Sequence, residues 1–511
     1  MNMTAPRPRA ARAGLAPSRE PLSAPAWRSL VFPSLLLVLG LVAVRPPARA
    51  QDEALEAVLE RLERLESEQE AQRAELAERD RQIEALKAEL DALRSAQTLE
   101  AAAEAEREAA FAEVIVEGDA MKAPPAIAPV PEPAEDGEWS LNLYGHAMLD
   151  MGYQFNQNDP NWFDVLRPTR LPAFENQYGD DGSWFSSVRQ SRFGVTSTVP
   201  TRAGDLYTLF EFELFGVGAD EGQTTFRLRH AYGELGQFGA GQYWSGFMDI
   251  DVFPNSIEYW GPSGMIFYRN IQARWTPWRA DDGSRFVITL EQPGGSGDEG
   301  VLADLIEAEG VRGDFELPDL AAHYRVVGDW GHLQAAAILR EIRWVDTVDD
   351  AIDLSGDELG WGINLSTNVN LGRHVFRGSL TYGEGIQNYF NDSTADIGIA
   401  LRPDRPELPI AGEAIPVLGL VAFLDLNWSD RWSSTIGYSL QDNDLPDLAA
   451  DTSFERGQYA LANLLYHPAP NMFFGPEIQW AQRDNYGPFS SDDFRVQFSA
   501  KYLFNFMFSG Q

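Results

Sequence analysis

The sequence predicts an all-β transmembrane barrel of about 16 antiparallel strands, preceded by an N-terminal α-helical coiled coil. Three observations carry this prediction. Segments of two-residue alternation recur from Trp139 to Phe508, the connections between them alternate short and long, and an apolar heptad runs from Leu55 to Leu93. In a strand, successive side chains point to opposite faces, so alternation gives one apolar and one polar side. Lipid outside and a wet lumen inside demand that arrangement of a barrel.

Composition narrows the possibilities. The chain has 511 residues, no cysteine, and six histidines at 146, 230, 323, 332, 374 and 467, none forming an i, i+4 pair. Disulfides, thiolate chemistry and Cys-ligated metals are therefore excluded, and a zinc site is not expected. No cofactor is called for. No nucleophile–histidine–acid grouping stands out, so the chain does not read as an enzyme. Its formal net charge of −37 argues against nucleic acid as a partner, because phosphate contacts need a basic surface. A mean hydropathy of −0.28 is too polar for a helical membrane protein, yet suits a barrel, where alternate residues face lipid.

Residues 1–50 read as a secretory signal peptide. Arg7, Arg9, Arg12, Arg19 and Arg28 precede the apolar run 30–44, and Ala48-Arg49-Ala50 offers a cleavage site before Gln51. That run falls short of the ~20 residues a spanning helix needs. Residues 51–113 read as a coiled coil. One seam is Leu55, Leu62, Gln69, Leu76, Ile83, Leu90 and Gln97, and the other is Val58, Leu65, Gln72, Arg79, Leu86 and Leu93. This is an a/d pattern with polar layers in mid-seam, and leucine in both seams does not choose between dimer and trimer. Residues 114–138 form a proline-rich linker, semi-rigid and extended.

The barrel is expected over residues 139–511. Its entry strand, 139–155, places Trp139, Leu141, Leu143, Leu149, Met151, Tyr153 and Phe155 on one side. Asn142, His146, Asp150 and Gln154 stand on the other. The strand 187–199 follows, with Gln190, Arg192, Thr196 and Thr198 on its polar face. The strand 205–215 puts Phe210, Phe212 and Leu214 outward and Glu211 and Glu213 inward. The strand 223–234 carries Phe226, Leu228 and Tyr232 outward and Arg227 and Arg229 inward. Over the whole barrel, seven short turns alternate with eight long polar connections. Fifteen connections join sixteen strands, with short turns in the periplasm and long loops outside. The last strand mirrors the first: Phe494, Val496, Phe498, Tyr502, Phe504, Phe506 and Phe508 alternate with Arg495, Gln497, Ser499 and Lys501. First and last strands with complete lipid faces can pair and leave no open edge.

Sixteen strands leave an aqueous channel whose lining sets function. Arg192, Arg227, Arg229, Arg274, Arg325, Arg377 and Arg495 fall on the polar side of their strands. Guanidinium forks suit carboxylate and phosphate. They read as an anion-guiding ladder or as braces for lumen acids such as Glu211 and Glu213, and both readings stay open. The third long loop, 246–264, is apolar and aromatic yet carries Asp249, Asp251 and Glu258. Exposed, it would be a liability; folded inward, it would constrict the lumen, with its acids facing the wall arginines, and otherwise it would pack against a neighbouring subunit.

Several motifs together resemble the DcaP-like trimeric porins of Gram-negative outer membranes: FEFELFG at 210–216, QTTFRLRHAYG at 223–233, FMDIDVFPN at 247–255, YWGPSGM at 259–265 and RWTP at 274–277. The resemblance implies an outer-membrane homotrimer of sixteen-stranded barrels with N-terminal coils in the periplasm. It also implies passive uptake of small anionic solutes such as dicarboxylates. Outer-membrane lipid surrounds such a barrel, and the coil is expected to reach toward peptidoglycan. The alternatives are a phosphate- or polyphosphate-selective porin, disfavoured because Lys501 is the only lysine after Lys122, and a barrel that merely anchors a structural tether to the cell wall.

Overall fold

The computed structural model describes residues 139–303, 310–348, 353–403 and 410–510. The signal peptide, coiled coil and linker read from the sequence lie outside the described residues. From Trp139 on, a closed antiparallel barrel of 16 staves forms. In chain order its unbroken staves are Trp139–Gln154, Gly204–Phe215, Thr224–Leu235, Phe238–Trp244, Arg269–Arg279, Arg285–Glu291, Gly331–Asp346, Gly356–Leu371, His374–Glu384, Pro416–Asn427, Trp432–Asn443, Met472–Asn485 and Ser490–Gly510. Three more are each broken in two: Ser183–Ser187 with Arg192–Thr201, Val311–Gly313 with Asp319–Gly328, and Phe454–Asn463 with Leu465–Ala469.

The first and last staves pair without interruption from Trp139↔Gly510 to Gln154↔Arg495. Backbone donors and acceptors of both strands are thereby satisfied, as a spanning structure in hydrocarbon requires. Alternation along the entry strand follows the prediction: Leu149 and Tyr153 are 42% and 41% exposed, Asp150 and Gln154 1% and 2%. The long and short connections alternate as expected. The sixth long one also carries a hairpin, Ile397–Leu401 against Ile410–Ala414.

Two local departures from the sequence reading have clear causes. The second stave does not run unbroken through 187–199. It is interrupted because Arg189 turns in, donating to Asp164 at 2.6 Å and to the Gly216 carbonyl at 2.8 Å. Tyr232, expected on the lipid side, is 4% exposed and faces inward. A β-bulge at Arg229 shifts the pairing between Glu211↔His230 and Phe212↔Leu228. One extra residue reverses the alternation beyond it. The Gln242 side chain caps the bulge by donating to the carbonyls of Leu228 and Arg229, at 3.3 and 3.0 Å.

The barrel interior is partly filled. Leu166 and Leu171 from the first long connection, Phe247, Val252 and Met265 from the third, and Tyr389 and Phe390 from the sixth form one buried cluster with wall residues such as Ile338, Phe423 and Tyr459. Apolar side chains in three loops thus hide from water by folding into the lumen.

Candidate functional site

The third long connection, between Trp244 and Arg269, crosses the lumen and is fastened to one arc of the wall. Asn364 donates to the Phe247 carbonyl at 3.1 Å and Gln334 to the Met248 carbonyl at 3.0 Å. Asn368 and Arg377 donate to the Asp251 carbonyl. Thr435 and Asn463 donate to the Asn255 carbonyl at 3.1 and 2.9 Å. The Ile257 N–H donates to Glu477 at 2.9 Å, and Gln190 donates to the Ile257 carbonyl at 2.9 Å. Each of these five loop carbonyls is met by a wall donor, which offsets the desolvation that burial imposes.

The three loop acids belong to this fastening. Asp249 is buried; Arg325 Nη1 donates to it at 3.2 Å, Ser366 at 2.7 Å, and His332 Nε2 lies 2.7 Å away. Burial alone would raise its carboxyl, but the hydrogen bond and charge of His332, with Arg325, hold it well below the usual carboxylate range. Asp251 pairs with Arg325 through a carboxylate that stays 41% exposed to the lumen. The ligand atoms of Asp249, Asp251 and His332 lie within 4.8 Å of one another, a spacing open to a cation. Arg325, however, already supplies the positive charge there. Glu258 is buried and accepts from the N–H groups of Leu166 and Gly261. Burial pushes its carboxyl up to about 7, against the opposing charge of Arg495.

On the other side of the loop a cavity of about 1460 Å³ remains. Glu221, Asn388 and Ser393 of the long connections line one end, while Gly236, Gly283 and Asn427, at the short turns, line the other. Among the described residues, twelve basic and eight acidic side chains border it, in a chain whose overall charge is −37. The lining thus has the opposite sign to the whole.

Of the predicted arginines, Arg192, Arg227, Arg229, Arg274, Arg325 and Arg377 line this cavity. Several are also paired: Arg229 donates to Glu211 at 2.5 Å and Glu213 at 2.6 Å, and Arg377 to Asp425 at 2.5 Å. Arg192 and Arg227 lie 3.5 and 3.6 Å from Glu213. Arg495 stands apart from the cavity, fully buried with its guanidinium 3.8 Å from the Phe185 ring centroid. Among the described residues, Arg274 makes no ion pair, and Arg285, which the sequence reading did not single out, is in the same state. Phe286, Ile288 and Leu290 alternate with it, a signal that could have placed it in the lumen. Arg269 also lines the cavity, although its parity with Ile271 and Ala273 points outward. Trp244↔Arg269 is the last rung before the chain turns inward, and both side chains follow that turn. Arg167 and Arg170, from the first long connection, complete the outer part. Arg167 is held between the rings of Trp162 and Trp260, at 4.3 and 4.1 Å, and donates to Asp392 at 2.8 Å.

A closed sixteen-stave barrel with short turns at one end, long loops at the other and one loop folded inside defines a bacterial outer-membrane barrel protein. Residues 129–381, reaching into the eleventh stave, match the family model described as DcaP outer membrane protein. Motifs and family model agree: the chain is a DcaP-like outer-membrane protein. No curated protein sequence matches it. Among solved structures, it is similar to the outer membrane channel DcaP of Acinetobacter baumannii, with 20% identity over 73% of this chain and 99% of that one, at a TM-score of 0.60. More distant similarity extends to an anion-selective porin from Comamonas acidovorans, 11% identical over 72% and 100% of the two chains, with a TM-score of 0.43. The OmpF protein of Salmonella typhi, in complex with daunomycin, is 12% identical over 71% and 97%, also at 0.43.

Proposed function

We propose that the barrel is a porin through which small hydrophilic anions, dicarboxylate-like in size and charge, cross the outer membrane by passive diffusion. The observation that carries this reading is the cavity that borders both the long loops and the short turns, with twelve basic against eight acidic side chains. Such a lining raises the local concentration of anions and lowers that of cations. Arg192, Arg227, Arg229, Arg274, Arg325 and Arg377 contribute the field, and Arg274 has donors left for a passing carboxylate. Asp249 and Glu258 serve to hold the constriction loop, while Asp251 is the loop acid that meets the lumen. The acting unit is taken to be a homotrimer with coils at residues 51–113 in the periplasm, near peptidoglycan. The test is the reversal potential of purified protein in planar bilayers under a KCl gradient. Chloride preference is expected, reduced in Arg227→Ala and Arg229→Ala. Cation preference that both variants leave untouched would defeat the anionic part of the reading.

A further inference from the structure

The wall facing the inward loop carries a feature that charge does not account for, a continuous ribbon of rings. Tyr232 and Tyr243 stack with centroids 4.5 Å apart and planes 21° apart. The ribbon passes from Tyr243 to His230 at 5.3 Å and from His230 to Trp244 at 4.6 Å. It continues from Trp244 to Phe267 at 5.2 Å, and ends on Phe253 of the inward loop at 5.5 Å. All six of these rings border the cavity. The stave beneath them is built to let them lie flat. A Cβ at Gly239 would stand 1.8 Å from the Tyr232 hydroxyl, so only glycine leaves room for that ring.

Guanidinium groups are set along the ribbon. Arg274 lies 5.6 Å from the Tyr243 centroid, and Arg269 and Arg229 lie 5.4 and 5.6 Å from that of Trp244. Glu213 already engages Arg229 and Arg269. Arg274 and Arg285 make no ion pair among the described residues. Wall rings offer stacking and edge contacts to a planar ring, and an arginine fork fits a carboxylate through two parallel bonds. A solute carrying both groups engages both at once. An aliphatic acid engages only the arginines.

We infer that this ring-and-arginine track favours aromatic carboxylates over aliphatic acids of the same charge. The inference rests on the anion-channel reading and narrows its substrate class. Ring stacking on Tyr243 and Trp244 would hold the solute at the wall while Arg274 and Arg285 take its carboxylate. Multiple weak sites in line let a solute move stepwise instead of stalling at one tight site.

The test uses the full chain in planar bilayers and compares block of the chloride current by terephthalate and by hexanedioate, two dianions of similar length. Terephthalate should interrupt the current at about tenfold lower concentration, a difference of one hydrophobic ring contact. Tyr243→Leu should abolish that preference and leave the KCl reversal potential unchanged, whereas Tyr243→Phe should retain it. If Tyr243→Leu does not insert, Phe267→Leu, outside the staves, interrogates the same ribbon. Equal block by the two acids in the native protein, or a preference that survives Tyr243→Leu and Phe267→Leu, would overturn the inference. A cation-selective reversal potential would instead defeat the anion-channel reading on which it rests.

Discussion

Two arcs of one barrel wall use the same alternation for opposite ends. The arc from Asp319 to Gly510 presents mostly neutral donors, among them Asn364, Asn368, Thr435 and Asn463, and the inward loop's backbone engages them. The arc from Arg192 to Glu291 presents guanidinium groups and rings that remain open to the cavity. A hydroxyl carries one donor and an amide two, so little is left once a loop carbonyl is met. An arginine has five donors and can brace a wall acid while keeping some free. The contrast separates a face that holds protein from a face that can meet solute.

Breaking the docked arc should have the largest effect. Arg325→Ala removes the guanidinium that Asp249 and Asp251 share and leaves a buried carboxylate with less compensation. Losing one partner of a buried pair costs about 3–5 kcal/mol. The inward loop should loosen, seen as a lower unfolding temperature in detergent together with a larger, noisier single-channel conductance. An unchanged conductance would mean that the loop holds its place without this clasp.

The open arc should respond differently. Arg274→Ala with Arg285→Ala removes two lumen charges without orphaning a described acid. Stability should hold while the reversal potential shifts toward cations. The shift should be larger in 0.1 M salt than in 1 M, because screening lengths fall from about 10 Å to about 3 Å. A loss of stability matching that of Arg325→Ala would erase the distinction between the arcs.

A smaller effect should come from Glu258, whose carboxyl burial pushes from 4.5 up to about 7. The folded state keeps this proton longer than the unfolded chain does. Its contribution to stability is therefore intact below about pH 4.5, and declines as pH rises to about 7. Unfolding temperatures measured between pH 4.5 and 8 should fall less steeply in Glu258→Gln than in the native protein. Parallel curves would show that Glu258 is not the responsible group.

Much of the barrel was legible because its physics is local. Lipid on one face and water on the other imposes a period of two, and turn composition marks where each stave ends. The inward course of residues 246–264 was foreshadowed by Phe247, Ile250 and Phe253, too apolar to remain in water. The partners of its acids were not legible: Asp249 meets His332 and Ser366, 83 and 117 residues away, and no local pattern encodes that. Tyr232 was misplaced for a different reason. A single bulged residue inverts parity, and the residue that stabilises the bulge, Gln242, lies on the neighbouring stave. Arg495 has the parity of a lumen residue, yet the loops that enclose it can be seen only in three dimensions.

The seam between the first and last staves also constrains the order of assembly. Asp150 meets Gln497 across that seam, 347 residues away in sequence. One edge of Trp139–Gln154 can pair early with Arg192–Thr201, but the other must wait for Ser490–Gly510. Until then, a row of unpaired N–H and C=O groups remains a template for wrong partners. Contacts of such long range form slowly, because loop-closure entropy is lost before they reward it. Closing the ring is therefore expected to be a late and slow event in the maturation of this protein, with the unclosed sheet its most aggregation-prone form.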